Sequence, residues 1–117
     1  MSRIYHNEWL VLSVESSMTA CNLLVITNSG RDFLLDRGDG SAITQHVSGA
    51  EYINITLSGV SSGIKVKSLN GALTDIGEIN NYASTGGNFV FDLSIFTPCL
   101  LLSKIYFESN NKITCIS

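Results

Sequence analysis

Charge is scarce in this sequence. Asp, Glu, Lys and Arg make up only 15% of its 117 residues, against about 25% in ordinary soluble domains. A surface so poor in charge does little to repel neighbours, which favours assembly or contact with partners. The formal net charge of −3 provides no basic patch to follow a phosphate backbone and argues against nucleic acid as a partner. Histidine is limited to His6 and His46, and cysteine to Cys21, Cys99 and Cys115. These show no Cys-x-x-Cys and no Cys/His zinc spacing, so neither a metal nor another cofactor is expected. The three thiols read as small buried hydrophobes of a reducing compartment. No apolar run approaches the ~20 residues that span a bilayer, so no membrane partner is expected. The polar start, residues 1–9, lacks the basic-then-apolar pattern of an export signal. The expectation is a protein made in a cytoplasm and not sent through the general export route.

What is present is mostly strand-like. The length suits one domain over residues 1–117. Residues 32–47 read as a β-hairpin whose arms flank a tight turn at Arg37-Gly38-Asp39-Gly40. Glycine enters positive φ without penalty there and Asp can bond its own nearby backbone, so Gly38, Asp39 and Gly40 are read as turn-forming residues. Residues 9–14 and 20–27 read as strands, the second closed by Asn28-Ser29-Gly30. From Tyr52 the alternation is clean, with Ile53, Ile55 and Leu57 on one face and Tyr52, Asn54 and Thr56 on the other. Residues 64–67 alternate again, and Asn70-Gly71 has the composition of a type I′ turn. Residues 59–63 and 80–88 read as loops, the latter the more mobile. Phe89, Phe91, Leu93 and Ile95 share one face of a further strand, and Pro98 punctuates the chain. The run 99–102 fits either a short helical turn or a buried strand. Short strands follow at 104–108 and 113–116. Turn signals every 8–12 residues fit an all-β antiparallel sandwich.

Two resemblances sharpen this. Asp36-Arg37-Gly38-Asp39-Gly40-Ser41 between two strands resembles the Trp-Gly-Asp-Gly-Ser hairpin of PKD-type immunoglobulin-like domains, with Arg37 where the family usually carries Trp. That implies an immunoglobulin-like β-sandwich. Leu102, Ile105, Phe107, Asn110, Ile113 and Ile116 are spaced like one unit of the leucine-rich repeats of Bacteroidetes surface proteins. The resemblance implies that Asn110 bonds the turn backbone, and it marks residues 99–117 as a repeat-like extension. A plain strand-turn-strand explains the same spacing. One such unit cannot bury its own apolar face, so it must pack on the sandwich, a partner or its own copies.

Small immunoglobulin-like proteins without an export signal are typical of tailed-bacteriophage virions. By that analogy the leading expectation is a non-enzymatic virion structural protein, a head decoration or tail or fibre component. It would contact other virion proteins or its own copies. The alternative is a recognition module of a bacterial cell surface, binding a glycan or a host-surface protein through the 80–88 loop, with Tyr52, Tyr82 and Asn88 as binding residues. Tyr5, Trp9 and Tyr106 are further aromatics able to stack on sugar rings. Arg37-Gly38-Asp39 also spells an adhesion tripeptide, which hairpin chemistry already explains. Asp32, Asp36 and Asp39 fail the spacing of an EF-hand calcium loop. Nothing places a cysteine beside a histidine as a nucleophile–base pair, so no catalytic residue is assigned.

Overall fold

The computed structural model describes residues 8–58, 63–108 and 111–115. Eleven strands appear among them: β1 (Leu10–Leu12), β2 (Ala20–Thr27), β3 (Phe33–Asp36), β4 (Thr44–His46), β5 (Ile53–Thr56), β6 (Ile64–Ser68), β7 (Ile76–Asn80), β8 (Ser84–Thr85), β9 (Val90–Asp92), β10 (Lys104–Tyr106) and β11 (Lys112–Thr114). The only helical pieces among these residues are the 3₁₀ segments Leu73–Asp75 and Leu93–Phe96.

One sheet runs β1-β6-β3-β4, and a larger one runs β10-β7-β2-β5 with β8 beside β2. Period-2 alternation gives each sheet one apolar face. Leu10, Leu12, Phe33, Leu35, Ile64 and Val66 from the first sheet join Cys21, Leu23, Val25, Ile55, Ile76 and Ile79 from the second in a single buried cluster. The chain is therefore all-β, with a core drawn from the inner faces of two sheets, as a β-sandwich requires.

The hairpin expected at 32–47 forms, with Phe33 opposite His46 and Leu35 opposite Thr44. Its connection is wider than a tight turn and spans residues 37–43. Asp36 Oδ1 accepts from Gly38 N at 2.8 Å and Asp39 Oδ1 from Ser41 N at 2.9 Å, two Asx bonds that satisfy the turn backbone locally. Asn70-Gly71 does turn, yet not as type I′. That type needs positive φ at both central residues, and only Gly71 has it. Ala72 N donates to Asn70 Oδ1 instead, and the chain enters a 3₁₀ turn rather than a hairpin partner.

Two pairings depart from an antiparallel plan. β10 lies parallel to β7, with Ile105 beside Ile79, and β11 lies parallel to β9, with Ile113 beside Phe91. The described residues between 76 and 115 thus coil twice, the second pass stacked on the first. The first pass is covered on its other side by β2 and by Ser13 and Val14, which leaves the second pass at one end of the domain. Phe89, Phe91, Phe96 and Phe107 fill the coil edge to face, with centroids 5.0–6.3 Å apart, in the geometry the ring quadrupole favours.

The strand expected over Phe89–Ile95 stops at Asp92, because Asp92 Oδ1 accepts from Ser94 N at 2.8 Å and caps a 3₁₀ turn. The ambiguous run after Pro98 is a turn, closed by Leu102 N donating to Cys99 O at 3.0 Å. Cys99 points inward, while Leu100 and Leu101 are 77% and 61% exposed.

Candidate functional site

β2 crosses the middle of the larger sheet, and its outward residues Ala20, Asn22, Leu24 and Ile26 are half-buried. Register sets their neighbours. Asn22 lies beside Asn54 and Ala20 beside Thr56 on β5. Leu24 lies beside Asn80 on β7, and Asn80 beside Tyr106 on β10. Tyr52 immediately precedes Ile53, which pairs with Leu23, so it stands level with Leu24. The outer face therefore carries one cross-strand row, Tyr106–Asn80–Leu24–Tyr52. At ~4.8 Å per strand it is about 14 Å long.

Tyr82 joins this face from the segment after β7. Its ring centroid lies 5.5 Å from that of Tyr52, with the planes tilted by 39°. The two rings are 63% and 39% exposed. Asn22 places this pair: its Oδ1 accepts from Tyr82 N at 3.0 Å and from Ala83 N at 3.1 Å. An asparagine in the middle of an apolar strand is the sequence signal that could have found Asn22. Nearby, Asn22, Asn54, Thr56, Ala83 and Thr85 line a shallow cleft of about 220 Å³. Exposed aromatic rings, the exposed Asn54 amide and the Thr56 hydroxyl thus converge on one surface. In register one row over from Tyr106 and Asn80, Glu78 and Lys104 stand side by side with opposite charge.

Of the expected binding residues, Tyr52 and Tyr82 come together and Asn88 does not join them. Asn88 N and Nδ2 both donate to Glu15 Oε1, at 2.9 and 3.0 Å, and Glu15 Oε2 also accepts from Lys112 Nζ at 2.9 Å. The Lys112 bond, then those from Asn88, hold the Glu15 carboxyl below its usual range. Asn88 is a clasp between the Glu15 turn and the coil. The 80–88 segment is also more anchored than a mobile loop: Asn81 is fully buried, and β8 within it pairs with β2.

Asn110 lies outside the described residues, as do Tyr5 and His6. The neighbouring Asn111 makes a turn bond of its own, Nδ2 donating to Glu108 O at 3.1 Å, and its Oδ1 accepts from Phe89 N at 2.8 Å.

Gly38, Asp39 and Gly40 sit in the β3–β4 connection, with both glycines at positive φ. Hydrogen bonds from Ser41 hold the Asp39 carboxyl below its ordinary value. Arg37 is half-buried, and its Nε is enclosed with no hydrogen-bond partner among the described residues. Asp32 accepts from Gln45 Nε2 at 2.8 Å, and Asp36 and Asp39 are turned to their own turn. No group of three or more His, Cys, Asp or Glu side chains is arranged to hold a metal among the described residues. His46 stacks on Phe33 with centroids 5.7 Å apart, and burial lowers its pKa. Burial pushes the Cys21 and Cys99 thiols up to about 12 and about 11, so both are neutral at pH 7 and poor nucleophiles. Among the described residues no helix is long and apolar enough to cross a membrane.

No protein-family model, no curated protein and no solved structure matches this chain.

Proposed function

We propose that this chain is a non-enzymatic contact module whose outer tyrosine face binds saccharide. The observation that carries this reading is the exposed Tyr52–Tyr82 pair beside the cleft lined by Asn22, Asn54 and Thr56. A tyrosine ring offers an apolar face to the C–H side of a sugar ring while its hydroxyl stays wet. Amide and hydroxyl groups at the edge can exchange hydrogen bonds with sugar hydroxyls and fix the orientation. The test is a glycan array probed with the wild type, Tyr52→Ala and Tyr82→Ala. Saccharide signals lost in both variants support the reading, and a blank array with folded wild type removes it.

A second reading is a structural protein of a bacteriophage virion, docking on other virion proteins or on its own copies. It is favoured by the second pass of the coil. Among the described residues β10 and β11 have strand neighbours on one side only, Leu102, Ile105, Phe107 and Ile113 are only half-buried there, and Leu100 and Leu101 are exposed. The parallel pairing also agrees with a repeat-like reading of residues 99–117, and the β3–β4 hairpin in a two-sheet fold agrees with a PKD-like one. Copy number in sedimented particles from a lysed culture tests the virion reading: many copies per particle support it, and a chain confined to soluble or envelope fractions removes it. The two readings are compatible, since a virion or cell-surface protein can carry a sugar-binding face.

A further inference from the structure

Resting on the saccharide reading, we propose that the bound sugar is an extended, uncharged oligosaccharide laid across the strands, with Tyr106 as a stacking position separate from the Tyr52–Tyr82 pair. Tyr106 is 49% exposed and ends the same cross-strand row that begins at Tyr52. Between them lie Asn80, only 4% exposed, and half-buried Leu24. The surface between the aromatic positions therefore offers the half-buried Leu24 side chain, while the Asn80 amide is covered, its Nδ2 lying 3.5 Å from Glu78 Oε2. About 14 Å of sheet separates the ends of the row, more than a single sugar ring covers, so a lone monosaccharide cannot use both.

Charge sets the class. The row itself carries no ionisable acid or base apart from the tyrosine hydroxyls. In the adjacent row Glu78 and Lys104 oppose each other in register, so their charges offset each other and supply no net positive charge to draw the carboxylates of an acidic polymer. A neutral chain needs no such attraction. The shape agrees, because a shallow cleft beside a flat row suits the length of a polymer rather than a buried chain end.

The test is calorimetric titration of the whole chain with disaccharides and hexasaccharides of β-linked glucose, xylose and mannose, and with hexagalacturonate as an acidic comparison. The inference expects a neutral hexasaccharide to bind at least ~10-fold more tightly than its disaccharide. Tyr106→Ala should erase that length advantage and leave the disaccharide unaffected, Tyr106→Phe should keep it, and Tyr82→Ala should weaken both ligands. Tyr106 is exposed on an edge strand, so its loss leaves the fold intact, and coincident thermal unfolding of variant and wild type checks this. If Tyr82→Ala weakens binding while length and Tyr106→Ala change nothing, the extended site is overturned and the saccharide reading stands. If hexagalacturonate binds as tightly as the neutral hexamers, the uncharged class is overturned. If no sugar on the array or in the titration binds the wild type, the saccharide reading falls and the extended site with it.

Discussion

Asn111 Nδ2 donates to Asn81 Oδ1 at 3.0 Å, joining the two passes of the C-terminal coil across thirty residues of chain. Asn81 passes the connection on, its Nδ2 donating to Asn22 O at 2.8 Å and to Ala83 O at 3.0 Å. Asn22 is the residue whose side chain holds Tyr82 in place. Three asparagines thus link the outermost strands, the central strand and the tyrosine face. A buried amide placed this way satisfies backbone groups that water cannot reach.

Asn81→Ala is therefore expected to be costly. It leaves the Asn22 carbonyl and one Asn111 amide hydrogen unpaired and strips the Ala83 carbonyl of one of its two bonds, keeping only that from Asn22 N, a loss of about 3 kcal/mol. Urea denaturation measures it. A stability loss of only a few tenths of a kcal/mol would mean that the network is incidental.

The β3–β4 connection separates two glycines that look alike in sequence. A Cβ on Gly38 would come within 2.0 Å of the Gly63 carbonyl oxygen, whereas one on Gly40 meets nothing within 4 Å. Both have positive φ, which costs a non-glycine residue about 1–2 kcal/mol. Gly40→Ala should show only that cost. Gly38→Ala should lose clearly more, because backbone must move. Thermal melts of the two variants decide it, and equal losses would contradict the close approach.

Asp75 predicts an acid limb. Burial alone would raise its pKa, but bonds from Ser68 Oγ, Ser29 Oγ and Ser29 N, with Arg31 nearby, outweigh burial and bring it below the ordinary 3.8. A carboxyl whose folded pKa is depressed contributes stability that is fully present above its unfolded value and is lost as pH falls through the folded one. Stability from this group should be constant near neutrality and fall below about pH 4. Asp75→Asn should lower stability at pH 7 and make the acid limb shallower. An unchanged acid slope in the variant would contradict the assignment.

Thiol chemistry should divide the cysteines. Cys21 and Cys99 are buried and Cys115 is exposed. A disulfide-exchange reagent at pH 8 should modify one thiol rapidly in the native protein, with Cys21 and Cys99 reacting only on unfolding. Rapid reaction of a second thiol in the native state would show that one of the buried sites opens.

Strand positions were legible where one face is buried. Ala20–Thr27 and the Tyr52–Leu57 alternation carry their burial in their composition, and the structure follows it residue by residue. Strand direction was not legible, because period 2 is the same for parallel and antiparallel neighbours. The parallel placement of Lys104–Tyr106 and Lys112–Thr114 comes from the coil's long-range stacking. At the site, Tyr52 and Tyr82 could each be marked as aromatics suited to an exposed face, but their meeting depends on Asn22, whose bonds run sixty residues along the chain. Asn88 misled for a related reason: a polar residue after Gly86-Gly87 reads as loop, and the Glu15 carboxylate that engages it lies seventy-three residues away.

Saccharide binding at the tyrosine pair is tested most directly by quantitative titration of the best array ligand into the wild type and Tyr82→Ala. The Tyr82 ring is 63% exposed, so its removal spares the core. Loss of a stacking ring predicts binding weakened at least ~10-fold, about 1.4 kcal/mol, with the melting temperature unchanged. Equal affinity in the two proteins would contradict a sugar site at the Tyr52–Tyr82 pair.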